Sequence, residues 1–175
     1  MLSTHQWVGG ISVELLKRIQ ELLRTKDVTA EIDKDGGLSF LARTGPISVR
    51  IRISVREKAI IVCSFIPIFV PVQRRAAMCE AISIANWQLR FARLEMDRHD
   101  GELRCSADMP LYDGEPTDEQ LTRLMFSVWS ISERYAAALV DVMTGQVEPA
   151  VAIARAEQGQ IEPVRRKQVT DLTVN

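Results

Sequence analysis

Histidine serves as acid, base and metal ligand more often than most side chains, and this chain has only two of them. His5 lies close to the first residue, and His99 lies in the charged stretch Asp97-Arg98-His99-Asp100, just before a glycine. That stretch is typical of a hairpin tip rather than of an acid–base cluster. No set of histidines and cysteines has zinc-ligand spacing, so we expect no metal site and no cofactor.

The sequence also lacks the short motifs that mark a nucleophile or a phosphate-binding loop. No G-x-S-x-G, G-x-x-x-x-G-K or G-x-G-x-x-G occurs. Residues 33–36 resemble the start of a calcium loop, but Leu38 and Thr44 stand where that loop needs glycine and glutamate. We therefore expect no catalytic residues and no enzymatic activity.

The three cysteines, Cys63, Cys79 and Cys105, form no C-x-x-C pair, and their number is odd. Each falls in an apolar or alternating segment, which predicts a small buried side chain rather than a reactive thiol. This usage is typical of a reducing compartment. The most apolar run, 59–72, contains two prolines and is too short to cross a bilayer. We expect a cytoplasmic protein with no membrane partner.

The charges nearly cancel, since 22 Lys and Arg face 23 Asp and Glu for a net charge of -1. A dedicated nucleic-acid binder usually carries a basic surplus with exposed aromatic side chains beside it. Arg50, Arg52 and Arg56 do line one side of a predicted strand, but Trp87 and Phe91 fall at or near apolar helix stripes. We interpret the arginines as a solvated face and expect no nucleic-acid partner.

The hydrophobic periodicity predicts the element order α-βββ(β)-α-ββ-α, with helices over roughly 12–25, 72–91 and 117–145. The turn Asp35-Gly36-Gly37 predicts a three-residue loop that places Ile32 opposite Phe40. The turn Asp100-Gly101 predicts a two-residue loop that places Leu94 opposite Ala107. These patterns indicate an α+β domain with a mostly antiparallel sheet of about five to six strands and three main helices.

One predicted strand is apolar at nearly every position between residues 59 and 66, which is typical of a strand covered on both faces. The second cover must come from this chain or from a partner. Ile60, Val62 and Ile66 are therefore the candidate protein-binding or dimer surface. Asn86, in the middle helix, needs hydrogen-bond partners if it is buried.

Several of these segments together resemble the YbjN family, which is described as bacterial sensory transduction regulators. The resemblance rests on Ser64-Phe65-Ile66-Pro67, on Ile84-Ala85-Asn86, on the hairpin around Asp100-Gly101 and on the capped last helix ending in residues 135–140. It implies a fold similar to that of type III secretion chaperones and no catalytic residues. We expect a YbjN-like domain over 1–145 and a C-terminal extension over 146–175, with a short helix followed by a flexible tail.

Two hypotheses for the function remain open. The first is a non-enzymatic protein-binding or regulatory domain, chaperone-like or linked to bacterial signal transduction, that binds a protein partner or forms a homodimer. The alternative is a small-molecule sensor, or an enzyme whose site lacks any linear motif, with Asn86 as the first candidate residue.

Overall fold

A six-stranded antiparallel sheet forms the centre of the fold. The structure is a computed structural model, and it describes residues 7–8, 11–45, 47–56, 59–111 and 114–158. The four helices are α1 (Val13–Arg24), α2 (Arg75–Gln88), α3 (Asp118–Thr144) and α4 (Pro149–Gln158). The strands are β1 (Trp7–Val8), β2 (Ile11–Ser12), β3 (Glu31–Ile32), β4 (Leu38–Thr44), β5 (Ile47–Arg56), β6 (Ala59–Phe69), β7 (Arg93–Met96) and β8 (Glu102–Pro110).

The strand order in the sheet is β3-β4-β5-β6-β8-β7, and every neighbouring pair is antiparallel. β1 and β2 form a separate two-stranded ribbon before α1. This architecture confirms the predicted α+β class and the predicted order of helices and strands. A short 3-10 turn, Val72–Arg74, precedes α2, so the α-helix itself starts later than the sequence pattern indicates.

Both predicted hairpins form, but each has a register two residues away from the prediction. Ile32 pairs with Leu38 instead of Phe40, and Leu94 pairs with Cys105 instead of Ala107. Aspartate side chains at the loop mouths explain the difference. In the first loop Asp33 Oδ1 accepts the N–H of Gly37 at 2.8 Å and that of Asp35. These bonds stabilise a turn between Ile32 and Leu38 that is two residues longer than the predicted loop, and the strands pair in the register that this longer turn allows.

The hydrophobic core lies between one face of the sheet and the helices. Alternate residues of β5 and β8 are buried there with the apolar stripes of α1 and α3. α3 is delimited as predicted, since Thr117 and Gln120 form a reciprocal capping box and Gly145 ends the helix with a positive φ of 76°. The long α3 crosses β4, β5, β6 and β8 and so supplies most of the cover of this face.

The short helix α4 belongs to the same core. Ala152 and Ile153 are fully buried, and α4 packs against α2 and α3. Glu157 also accepts hydrogen bonds from Tyr135 on α3 and from Gln88 on α2. A short helix therefore does follow residue 145, and its buried residues pack on the helices that precede it. The predicted tail beyond it, 159–175, lies outside the described residues.

Candidate protein-binding face of the sheet

The residues predicted as a binding or dimer surface lie in the core of the single chain. Ile60 and Val62 are 0% exposed and Ile66 is 2% exposed. The tight β5–β6 hairpin pairs Val55 with Ile60 and so places all three side chains on the buried face. They therefore form no surface in this chain, and the side of β6 that remains available is the opposite one. The alternation of β5 carried this information, because its valine and isoleucine stripe had to share a face with Ile60.

The opposite side of the sheet has no helix on it in the described part of the chain, and we call it the open face. Its side chains are exposed or half-buried, apart from a buried Ser106. The strand registers define its members: Glu31, Ser39, Leu41, Arg43, Ser48, Arg50, Arg52, Ser54, Arg56, Ala59, Ile61, Cys63, Phe65, Arg93, Glu95, Arg104, Ser106, Asp108 and Pro110.

An apolar strip runs through the middle of the open face. Ile61, which is 37% exposed, and the half-buried Phe65 both stand on this side of β6, with Cys63 between them. Leu41, two strands away, is 74% exposed. On β5 the same face carries only serine and arginine, as a solvated antiparallel strand usually does. β6 departs from that rule, so the apolar character of the open face is concentrated on one strand.

The β7–β8 half of the open face is electrostatically neutralised from within. Arg93 donates to Glu95 at 2.7 Å and to Asp108 at 2.8 Å, and Arg104 donates to Glu95 at 2.6 Å. Burial raises the pKa of Glu95, but the hydrogen bonds from Arg104 and Arg93 outweigh it, and the net pKa is lowered. The same contacts raise the pKa of both arginines. This half therefore presents a closed ion-pair network to a partner.

The β4–β5 half has a different charge balance. Arg52 donates to Asp33 at 2.6 Å, and this hydrogen bond is the main reason why the pKa of Asp33 is lowered. Arg43 and Arg50 are exposed and have no acidic side chain within ion-pair distance among the residues described. A depression of about 460 Å³ beside Arg50 is lined by Glu31, Ser39 and Leu41. Positive charge is thus available next to an apolar side chain.

Asn86, the first candidate for a polar site residue, is committed to the edge of the sheet. Its Nδ2 donates to the carbonyl of Leu94 at 3.0 Å, and its Oδ1 accepts from the N–H of Leu94 at 2.9 Å. Leu94 lies on the edge strand β7, so the carboxamide takes the place of a further strand and joins α2 to the sheet. Nothing in these contacts supports a sensor or catalytic site at Asn86.

The cysteines show no sign of nucleophilic activation. Burial raises the pKa of the half-buried Cys63 thiol on the open face, despite the nearby arginines. Burial raises the pKa of Cys105, in the core, to about 12. Both thiols are therefore held protonated near neutral pH. Cys79 is exposed on α2. No cluster of histidine, cysteine and acidic residues in the described ranges could hold a metal ion.

Two aromatic residues lie differently from the sequence interpretation. Trp87 and Phe91 are 84% and 83% exposed instead of being part of the apolar helix stripes. Phe91 follows α2 and, with Met109 and Leu124, lines a depression of about 540 Å³ beside α3. The helical periodicity of the sequence could not show that these two side chains are exposed. The buried side of α2 is narrow and consists only of Met78, Ala81 and Ala85.

The fold and the open face together define an α+β domain with helices on one side of its sheet and a sparsely apolar, charged face on the other. No helix in the described residues is long and apolar enough to cross a membrane. The chain belongs to the YbjN family, described as "Putative bacterial sensory transduction regulator", whose profile matches residues 15–141. The regulatory interpretation drawn from the sequence agrees with this family description.

A solved structure with the same fold supports this assignment. It is the crystal structure of YbjN from E. coli, described as "a putative transcription regulator". The two structures superpose with a TM-score of 0.54 at 14% sequence identity, over 76% of this chain and 94% of that one. The comparison with curated proteins finds no match.

Proposed function

We propose that this protein is a non-enzymatic, protein-binding regulatory domain whose open face receives a segment of another protein or a second copy of the same chain. The outward side of β6 carries the proposal, because Ile61 and Phe65 stand there with no helix of the described chain over them. The proposal keeps the strand expected from the sequence, β6, but takes its contacts from the face opposite Ile60, Val62 and Ile66. Apolar side chains rimmed by charged ones are typical of a protein-interaction surface.

The chemistry of the site supports binding rather than catalysis. The polar groups best placed for a reaction are used in structural contacts: Asn86 with Leu94, and Glu95 with two arginines. The near-zero net charge supports a protein partner rather than nucleic acid, and the three free cysteines support a cytoplasmic location. Regulation in this scheme works through occupancy of the open face.

The test combines the oligomeric state with partner capture. Size-exclusion chromatography with light scattering measures whether the purified chain forms a dimer. Affinity capture from the host lysate, quantified by mass spectrometry, measures stoichiometric partners. Both are repeated with the double variant Leu41→Ser and Ile61→Ser and with the control Val72→Ser, which removes an equally exposed apolar side chain outside the face. Exposed substitutions of this kind change stability little.

We expect a dimer or a stoichiometric partner that the double variant loses and that the control retains. A chain that stays monomeric at high concentration and captures nothing, with crosslinking included, contradicts the proposal. So does a partner that is retained by the double variant, because such a partner binds elsewhere on the molecule.

A further inference from the structure

We propose that the segment bound by the open face is acidic, and that its carboxylates dock on Arg43 and Arg50 while apolar side chains beside them cover Leu41 and Phe65. This inference rests on the proposed function and specifies the chemistry of the partner. The open face distributes its charges unevenly. Arg52, Arg93 and Arg104 each have a carboxylate partner within the chain. Arg43 and Arg50 have none among the described residues, so their donors are available to a partner.

The strand registers place three of the four required groups in one row, and Arg43 lies two residues further along β4, opposite Ser48. Leu41 pairs with Arg50, and Arg50 pairs with Phe65, so a cation stands between two apolar side chains on three neighbouring strands. Neighbouring strands are about 4.8 Å apart, which places each apolar group about that far from the arginine. A carboxylate flanked by apolar side chains matches this row. Charge-assisted hydrogen bonds from a guanidinium to a carboxylate are stronger than neutral ones and fix the position of the segment.

Glu31 forms no ion pair with Arg50 in the described structure, although it lines the same depression. Glu31 instead closes the β3 side of the depression with negative charge. An incoming acidic group is therefore directed away from β3 and toward Arg50 and Phe65.

The same row favours a protein segment over a nucleic acid, although both carry negative charge. Leu41 is aliphatic and exposed, and Phe65, the one aromatic side chain of the row, is half-buried, so the row offers little flat surface on which a base could stack. The chain as a whole has a net charge of -1, so no long-range attraction for a polyanion supplements the local one. Burial of aliphatic surface beside a single ion pair is instead typical of protein interfaces.

Photo-crosslinking in the host tests the inference on the full chain. The variant Leu41→p-benzoyl-phenylalanine carries the photoreactive group at the rim of the depression, and cross-linked peptides are identified by mass spectrometry. The labelling yield is compared in four backgrounds: unchanged, Arg50→Gln, Ile61→Ser and Arg123→Gln. Arg123 is the control, because it is an exposed arginine on α3, on the helix side of the sheet, where its ion pair is with Glu119.

We expect cross-linked segments rich in aspartate and glutamate. Arg50→Gln lowers their yield about tenfold, as expected when one charge-assisted contact is lost, and Arg123→Gln leaves it unchanged. Neutral or basic cross-linked segments, labelling of nucleic acid, or labelling of a second copy of this chain overturn the inference. A yield that falls with Ile61→Ser but not with Arg50→Gln refutes the acidic partner and leaves the proposed function intact. A yield that neither substitution lowers refutes both.

Discussion

The carboxamide of Asn86 offers the sharpest test of how this fold closes its sheet. The change is Asn86→Ala, which removes both hydrogen bonds to Leu94 on the edge strand β7. Each such bond contributes about 0.5–1.5 kcal/mol net, so the pair contributes about 1–3 kcal/mol. Alanine recovers about 0.5 kcal/mol through its higher helix propensity. The free energy of unfolding should therefore fall by about 0.5–2.5 kcal/mol, centred near 1.5 kcal/mol.

Urea denaturation followed by circular dichroism measures this change, and thermal denaturation should show a Tm lowered by about 3–6 °C. Ser83→Ala is the matched control, since Ser83 is exposed on the same helix and makes no such contact. Amide hydrogen exchange at Leu94 gives a local readout, because its N–H loses its acceptor. An unchanged stability together with unchanged exchange at Leu94 would refute the assigned role.

A second substitution at the same position separates donor from acceptor. Asn86→Asp retains the acceptor for the Leu94 N–H but places a carboxylate against the Leu94 carbonyl. At neutral pH it should destabilise more than Asn86→Ala does. The repulsion from the Leu94 carbonyl should raise the pKa of this carboxyl above its free value of about 4. The difference should therefore shrink as the pH falls toward about 4, where the protonated carboxyl regains a donor, and should not change further below that pH. A cost of Asn86→Asp that does not change with pH contradicts this assignment of the two bonds.

Three further predictions concern the turn, the core and the acid limb of stability. Gly101→Ala should lower the free energy of unfolding, measured by urea denaturation, by about 3 kcal/mol or more. Gly101 has φ 85°, and an added Cβ would overlap the backbone of Val70. A loss below about 1 kcal/mol would contradict this prediction. Ile153→Ala should lower the free energy of unfolding by about 2–5 kcal/mol, because Ile153 is fully buried between α4 and the core. A negligible loss would show that α4 does not stabilise the fold. The pKa of Asp33 is lowered by its hydrogen bond from Arg52, so its stabilisation is complete above about pH 4 and is lost as the pH falls through the lowered pKa. Arg52→Gln should therefore flatten the acid limb of a stability–pH profile, and an unchanged limb would speak against the pair.

The sequence predicted which residues face the core more accurately than it predicted which residues are paired. Alternation assigned the buried side of β5 and β8 correctly, because a period of two survives any shift of the register by two residues. The predicted hairpin registers are wrong because the loops between the last paired residues are longer in the structure than the three and two residues predicted. Asp33 and Asp97 accept backbone N–H groups of their own loops, and their spacing to those groups was visible in the sequence.

The role of Asn86 could not be predicted from its position in the helix. Periodicity places it near the buried side of α2, and a half-buried carboxamide needs both a donor and an acceptor. Only the path of the chain from α2 into β7 brings Leu94 within reach of both atoms. The packing of α4 into the core could not be predicted either. A ten-residue helix can be assigned to a core only when the elements that pack against it are known.

β6 shows most clearly where sequence patterns become ambiguous and how they can be resolved. A strand that is apolar at every position carries no period, so by itself it cannot indicate which side meets the helices. The two-residue connection after Arg56 resolves this, because it pairs Val55 with Ile60 and so aligns Ile60 with the buried stripe of β5. The remaining apolar positions, Ile61 and Phe65, then face away from every helix described. The packing of the single chain does not explain why these two positions are apolar, and the partner that we propose for the open face would cover them.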